Sequence, residues 1–330
     1  MKNVSILVPE TAVIEAVADP HYMFKAVNQF LLASGEEALF NVQLVGLTKE
    51  IKLENSLFSV HVDKLLNDVT ETDLIVIPAL SGDMTKAIAA NVDFIPWIVE
   101  QYKKGSEVAS LCVGAFMLAS TGLLDGRKCS THWSFANEFR SMFPDVELVD
   151  GSIITEEERL YSSGGANSYL NLLLYLVEKY TDRDTAILAS KYFAIDIDRE
   201  SQSAFMLFKG QKDHNDDQIL NAQEFIEENY PEKITVDGLA HQFAIGRRSF
   251  ERRFKKATNN SIVEYIQRVK IEAAKRSFES SRKNITDVMF DVGYTDTKAF
   301  RILFKKITGL TPIEYRNKYN KQVQIDPADS

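Results

Sequence analysis

The sequence predicts two domains of different class: a parallel α/β domain, then an all-α domain built on two helix-turn-helix units. Three observations predict this. Apolar strand-like runs alternate with helical segments through residues 1–195, the pattern of a parallel sheet covered by helices. A second pattern occurs twice within residues 235–316, fifty positions apart: SFERRFKKATNNSIVEYI from Ser249 and AFRILFKKITGLTPIEYR from Ala299, one structural unit used twice. The charge divides the same way. The whole chain of 330 residues carries −9, but residues 245–322 hold 19 Lys and Arg against 8 Asp and Glu, a local excess suited to phosphate.

In chain order, VSILVP (4–9) is an apolar strand closed by proline. Residues 20–33 read as a helix that starts at Pro20 and turns Phe24, Val27, Phe30 and Leu31 inward. Strands follow at 40–47 (FNVQLVGL), 73–78 (DLIVIP) and 107–111 (EVASL). Their nearly continuous apolar character indicates burial on both faces. Helices are expected at 92–103, 113–120, 132–142, 167–180 and 183–193, with strand pieces near 152–155 and 159–162. The longest apolar run, YLNLLLYLV at 169–177, is about half a membrane span and reads as a buried helix. Residues 196–216 are polar and read as an interdomain linker, with Phe205, Met206 and Phe208 able to dock on a domain. The second domain runs 217–322, and 323–330 is a loose tail.

Within the repeat, Phe250 matches Phe300, Phe254 matches Phe304, Thr258 matches Thr308 and Tyr265 matches Tyr315. Phenylalanine at i and i+4 buries one helical face. Before each ridge lies a short amphipathic stretch, 234–243 and 285–294, with Thr235 and Thr286 as the expected N-caps. Gly293 supplies a left-handed residue for the sharp turn. A short helix, a tight turn and a basic second helix make a helix-turn-helix.

Two cysteines give no disulfide framework, and no Cys/His pairs have zinc spacing; neither metal nor cofactor is expected. MKNVSILVPE has no secretory pattern, so the expected location is cytoplasmic, without membrane attachment. Cys112 follows the strand EVASL and starts a helix, in Ser110-x-Cys112-x-Gly114. Small residues around a cysteine on a strand-to-helix turn fit a nucleophile elbow, and a helix N-terminus can lower a thiol pKa.

The repeated segment, through VGYTDTKAFRILFKKITGLTPIEYR, resembles the DNA-binding domain of AraC/XylS-family transcription regulators over residues 219–319. The resemblance implies two helix-turn-helix units on one linker helix, reading neighbouring major grooves of an operator about 34 Å apart. It implies base contacts by Arg248, Glu251 and Arg252 in the first unit and by Thr297, Lys298 and Arg301 in the second. Arg247, Lys255, Lys256, Lys305 and Lys306 are then left for phosphate.

The stretch SLCVGAFMLASTGLLDGRKCSTHW (110–133), with SSGGANSYLNLLLYLVEKY (162–180), resembles the PfpI/ThiJ superfamily of class I glutamine amidotransferase-like domains. That resemblance covers residues 1–195. It implies a flavodoxin-like fold with the cysteine turn at the C-terminal edge of the sheet, where ligands bind. It makes Cys112 and His132 the catalytic candidates, with Glu10, Glu15 and Val113 in the same pocket. The acid that enzymes of the superfamily place after the first strand is missing: aligned through Pro20, the position holds Ala16, and Asn171 stands where relatives often carry Asp. Together the resemblances match the GlxA group of AraC/XylS regulators. They imply a DNA-binding regulator, expected as a homodimer, whose first domain senses an unidentified small molecule. The alternative is a Cys-dependent hydrolase or hydratase joined to a DNA-binding domain.

Overall fold

The computed structural model describes residues 1–53, 55–196, 208, 212 and 214–320. It divides into two compact units, Met1–Gln202 and Ser203–Ser330. Most of the expected linker, with Phe205 and Met206, and the expected loose tail at 323–330 lie outside the described residues.

The first unit contains β1 (Lys2–Leu7), α1 (Ile14–Ala33), β2 (Phe40–Gly46), β3 (Glu50–Leu53), β4 (Phe58–His61), β5 (Lys64–Leu65), β6 (Leu74–Ile77), α2 (Met84–Ala90) and α3 (Phe94–Lys104). There follow β7 (Glu107–Ser110), α4 (Ala115–Ser120), β8 (Lys128–Cys129), α5 (Ala136–Met142), β9 (Glu147–Leu148), β10 (Ile154–Glu157), β11 (Leu160–Ser163), α6 (Tyr169–Tyr180) and α7 (Arg183–Phe193). Seven strands form one sheet in the order β10-β11-β7-β6-β1-β2-β5. All pairings in it are parallel except β10 with β11 at the edge. This is the flavodoxin-like arrangement, with helices on a mostly parallel sheet.

The central strands form for the reason the sequence suggests. Val4, Ile6 and Leu7 of β1 and all four residues of β6 have no exposed surface, which only a sheet covered on both faces allows. Each fully buried aliphatic side chain contributes roughly 1.5–3 kcal/mol. Ser5, also fully buried, avoids a desolvation penalty: its hydroxyl donates to Thr72 Oγ1 at 2.9 Å and accepts from Gln43 at 3.0 Å. Ile77 aligns with Ser110 across β6 and β7, so the Cys112 turn emerges at the C-terminal edge of the sheet.

Several expectations shift. The first helix begins at Ile14, and Pro20 lies inside it; in the second turn the missing N–H removes one bond to the Ala16 carbonyl. The helix expected at 113–120 starts as a tight 3-10 turn, Cys112–Gly114, before α4. The one expected at 132–142 likewise opens as a 3-10 turn, Trp133–Phe135, before α5. The sequence reading missed the β3–β4 hairpin and α2, together with the two-residue strands β5, β8 and β9. Among the described residues, no helix is long and apolar enough to cross a membrane.

The second unit is helical: α8 (Asp217–Asn229), α9 (Val236–Gln242), α10 (Arg247–Thr258), α11 (Ile262–Ser280), α12 (Ile285–Asp291), α13 (Thr297–Thr308) and α14 (Pro312–Tyr319). It has two separate cores. Phe250 and Phe254 pack with Leu239, Ile262, Tyr265 and Val269 in the first. Phe300 and Phe304 pack with Ile271, Phe278, Val288 and Tyr315 in the second. Helix α11 supplies its N-terminal half to one and its C-terminal half to the other.

Candidate nucleic-acid interface and cysteine turn

The two halves of the helical unit repeat in atomic detail. Ser261 and Thr311 each start a helix with a capping box, closed by Glu264 and Glu314. Thr258 and Thr308 each donate back to a phenylalanine carbonyl at 2.8 Å. The N-caps of the first helices differ from one another. Thr235 caps α9, as expected, by accepting from the Gly238 amide at 3.1 Å. Thr286 does not cap α12: Asn284 does, accepting from the Asp287 amide at 2.9 Å, because the helix starts two residues earlier.

The turn between the helices is left-handed in both copies, at Ala244 (φ 51) and at Gly293 (φ 74). At Gly293 a second constraint acts, since a Cβ there would lie 2.0 Å from the Pro231 carbonyl oxygen. Only glycine fits.

The second helices, α10 and α13, turn their phenylalanines inward and their cations outward. Arg248, Glu251, Arg252, Thr297, Lys298 and Arg301 are all exposed, as are Arg247, Lys255, Lys256, Lys305 and Lys306. Among the described residues, Arg248, Arg252, Lys298 and Arg301 form no ion pair, so their donors face solvent. Arg247 is engaged instead, bridging Asp237 at 3.0 Å and Glu251 at 3.3 Å. Lys255 donates to the Asn259 carbonyl at 2.9 Å. Arg253 is a structural tie: it grips the Asp216 carboxylate through Nε at 2.9 Å and Nη2 at 2.5 Å. That hydrogen bond holds the Asp216 carboxyl below its ordinary value.

In the α/β unit, Cys112 sits at φ 54, a left-handed conformation that costs a non-glycine residue about 1–2 kcal/mol. The surroundings hold it there. Its amide donates to Ser163 Oγ at 3.2 Å, and its carbonyl accepts from Thr131 Oγ1 at 3.3 Å. Gly114 allows the turn to approach β6, because a Cβ there would lie 2.5 Å from the Pro78 carbonyl oxygen. This is the elbow geometry the sequence suggests. The expected acidification is reversed: burial pushes the thiol up to about 12, and the Val113 amide offsets this only in part. The same burial raises Cys129 to about 12.

His132 accepts at Nδ1 from the Ser134 amide at 3.2 Å, with Ser134 Oγ 2.7 Å away. Burial lowers its pKa. Among the described residues, no hydrogen bond joins it to Cys112. Glu10 is exposed, with its amide held by Asn91 Oδ1 at 2.9 Å. Glu15 is exposed in the first turn of α1, and Val113 is buried. Two residues the sequence reading passed over complete the neighbourhood. The Tyr169 hydroxyl donates to Asp19 Oδ2 at 2.7 Å. Burial and that bond raise its pKa, with Glu15 and Cys112 adding smaller contributions. Asn171, buried on α6, donates to the Asp196 carbonyl at 2.5 Å.

Comparisons with known proteins fit both halves. A helix-turn-helix domain model matches residues 239–318, and the DJ-1/PfpI family model matches residues 11–179. The HTH-type transcriptional regulator ArgR of Pseudomonas aeruginosa is 25% identical over 217 residues, 66% of this chain and 66% of that protein. The HTH-type transcriptional regulator GbdR of the same species is 25% identical over 225 residues, 68% of this chain and 61% of that protein. The match thus spans less than two-thirds of either relative. A crystallised protein of Vibrio parahaemolyticus shares the fold at a TM-score of 0.52 and 22% identity, over 58% of this chain and 98% of that one. Because the DJ-1/PfpI model covers more than half of its length, the chain belongs to the DJ-1/PfpI family, and it carries an AraC-type helix-turn-helix domain beyond that region.

Proposed function

We propose that this protein is a DNA-binding transcription regulator. The observation that carries the reading is the pair of helix-turn-helix units on the shared helix α11, with Arg248, Arg252, Lys298 and Arg301 exposed and, among the described residues, without an ion pair. Arginine offers guanine a bidentate fork and lysine offers a point charge. Arg247, Lys255, Lys256, Lys305 and Lys306 contact phosphate, and Glu251 and Thr297 complete the base-facing set. Residues 1–195 form a sensing domain, 196–216 a linker and 217–322 the reading domain. The protein acts in the cytoplasm as a homodimer, which would place two reading domains on a repeated operator.

The test is selection of bound sequences from random duplex DNA by the full chain. Enrichment of a two-part site, with binding that weakens steeply with salt, supports the reading. Recovery of unselected sequence would overturn it.

The small-molecule site of the first domain lies at the Cys112 turn, where Glu15, Asp19 and Tyr169 gather. A thiol raised by burial, with no base in hydrogen-bond contact among the described residues, favours binding over catalysis. A metabolite screen by thermal shift, with Cys112→Ala in parallel, checks this. A ligand that stabilises both forms and is recovered unchanged supports a sensor. A ligand consumed by the wild type and only bound by the variant would establish the hydrolase or hydratase alternative.

A further inference from the structure

The fifty-residue register of the repeat pairs the two reading helices position by position. Arg248 pairs with Lys298, Glu251 with Arg301 and Lys256 with Lys306. By the same register Arg252 pairs with Ile302. That position is two residues from each of the buried phenylalanines, Phe250 and Phe254 in α10 and Phe300 and Phe304 in α13. At about 100° per residue it lies about 160° from both, so it faces directly away from the core at the centre of the outer face. Positions 251 and 301 lie nearer the edge.

Ile302 is 60% exposed. Among the described residues, it is the only large apolar side chain exposed on either reading helix. One turn away on each side stand Lys298 and Lys306, both exposed. An isoleucine between two lysines gains nothing from water. Its branched side chain cannot take hydrogen bonds from a base edge, but it can pack on the 5-methyl group that thymine alone presents in the major groove.

We propose that Ile302 is a specificity-determining residue that reads a thymine methyl group, so that the second unit reads by apolar contact where the first reads by the Arg252 guanidinium. The inference rests on the DNA-reading function proposed above. Lys306 anchors the helix through phosphate, Lys298 stays in the base-facing set, and Ile302 sets the preference for one A·T pair. The two units thereby recognise different half-sites despite a common fold, and the preferred site is asymmetric within each subunit.

The experiment selects bound sites from random duplex DNA with the full wild-type chain and with Ile302→Ala, then replaces each preferred thymine of the wild-type site by uracil, which lacks only the methyl group. The side chain points away from the core, so the variant should melt at the wild-type temperature. The expected result is loss of preference at one thymine in the variant, with all other positions retained. Uracil at that position should weaken wild-type binding about fourfold, the value of one buried methyl group, and should leave the variant unaffected. If every thymine preference survives in Ile302→Ala, or if no uracil weakens the wild type, the inference is wrong while DNA reading stands. If the wild type enriches no sequence, DNA reading and this inference fall together.

Discussion

Tyr265 and Tyr315 occupy the same place in two successive structural units. Each is buried against the second phenylalanine of its ridge, with ring centroids 5.2 Å apart at Phe254 and 5.5 Å apart at Phe304. Each also donates its hydroxyl to a carboxylate on an earlier helix, Tyr265 to Glu227 at 2.6 Å and Tyr315 to Glu279 at 2.5 Å. Helix α8 therefore plays toward the first unit the part that the end of α11 plays toward the second. A charge-assisted hydrogen bond is worth about 1.5–3 kcal/mol, and both carboxylates keep partial access to water, which lowers the cost of losing it. Tyr265→Phe and Tyr315→Phe should each destabilise the full chain by about 1–2 kcal/mol, read from urea unfolding. A cost for only one of them would break the equivalence.

How far this architecture can be read in the sequence depends on distance along the chain. The central strands are legible because Val4–Leu7 and Leu74–Ile77 are buried on both faces, which leaves nearly continuous apolar runs. The repeat is legible because its phenylalanines recur at a fixed offset. The β3–β4 hairpin is obscure because its strands have four residues each, with only Ile51, Leu53 and Val60 buried. Pro20 misleads because proline commonly opens a helix and here sits in its second turn. The partner of Tyr169 at the cysteine turn is Asp19, 150 residues earlier, a contact that only the folded sheet creates. The raised Cys112 thiol is hidden for a similar reason: the motif gives the elbow, but the packing around it sets the dielectric.

The two left-handed turn residues should respond oppositely to exchange. Gly293→Ala combines a positive φ with a contact of 2.0 Å on the Pro231 carbonyl and should cost at least about 2 kcal/mol. Ala244→Gly relieves the left-handed strain at φ 51. Against that stands the greater freedom of glycine in the unfolded chain, so a gain of about 0.5 kcal/mol is expected. Thermal unfolding of both variants checks the pair.

The Asp216–Arg253 tie makes stability depend on pH. The guanidinium holds the Asp216 carboxyl below its ordinary value of 3.8. The unfolded chain therefore takes up the proton first as the pH falls. The contribution is complete above pH 3.8 and is lost as the pH drops through the depressed value. Asp216→Asn should lower stability at pH 7 and should flatten the acid limb of the unfolding midpoint against pH. An unchanged acid limb would show that the tie contributes nothing.

At the cysteine turn, a thiol pushed up to about 12 is almost wholly protonated at pH 8, and the thiolate is the reactive form. Cys112 in the native protein should alkylate with iodoacetamide at least tenfold more slowly than free cysteine at pH 8, and at the ordinary rate in urea. Mass spectrometry of the labelled peptide over time gives both rates. Rapid native labelling would show an acidic thiol and reopen the nucleophilic role.

On the reading surface, Arg252 and Lys306 should separate sequence choice from affinity. Both are exposed, on equivalent helices, but Arg252 faces outward at the centre of α10 and Lys306 lies in the last turn of α13. A bidentate arginine contact discriminates against the wrong base by about 1–3 kcal/mol. Arg252→Ala should lose that much on the selected site, far less on random DNA, and relax one base position. Lys306→Ala should weaken selected and random DNA alike and reduce the slope of log affinity against log salt by about one. Fluorescence anisotropy on both DNAs across a salt series measures the two effects together. Equal losses on both DNAs for Arg252→Ala would reduce it to a phosphate contact and leave the first unit without its central base reader.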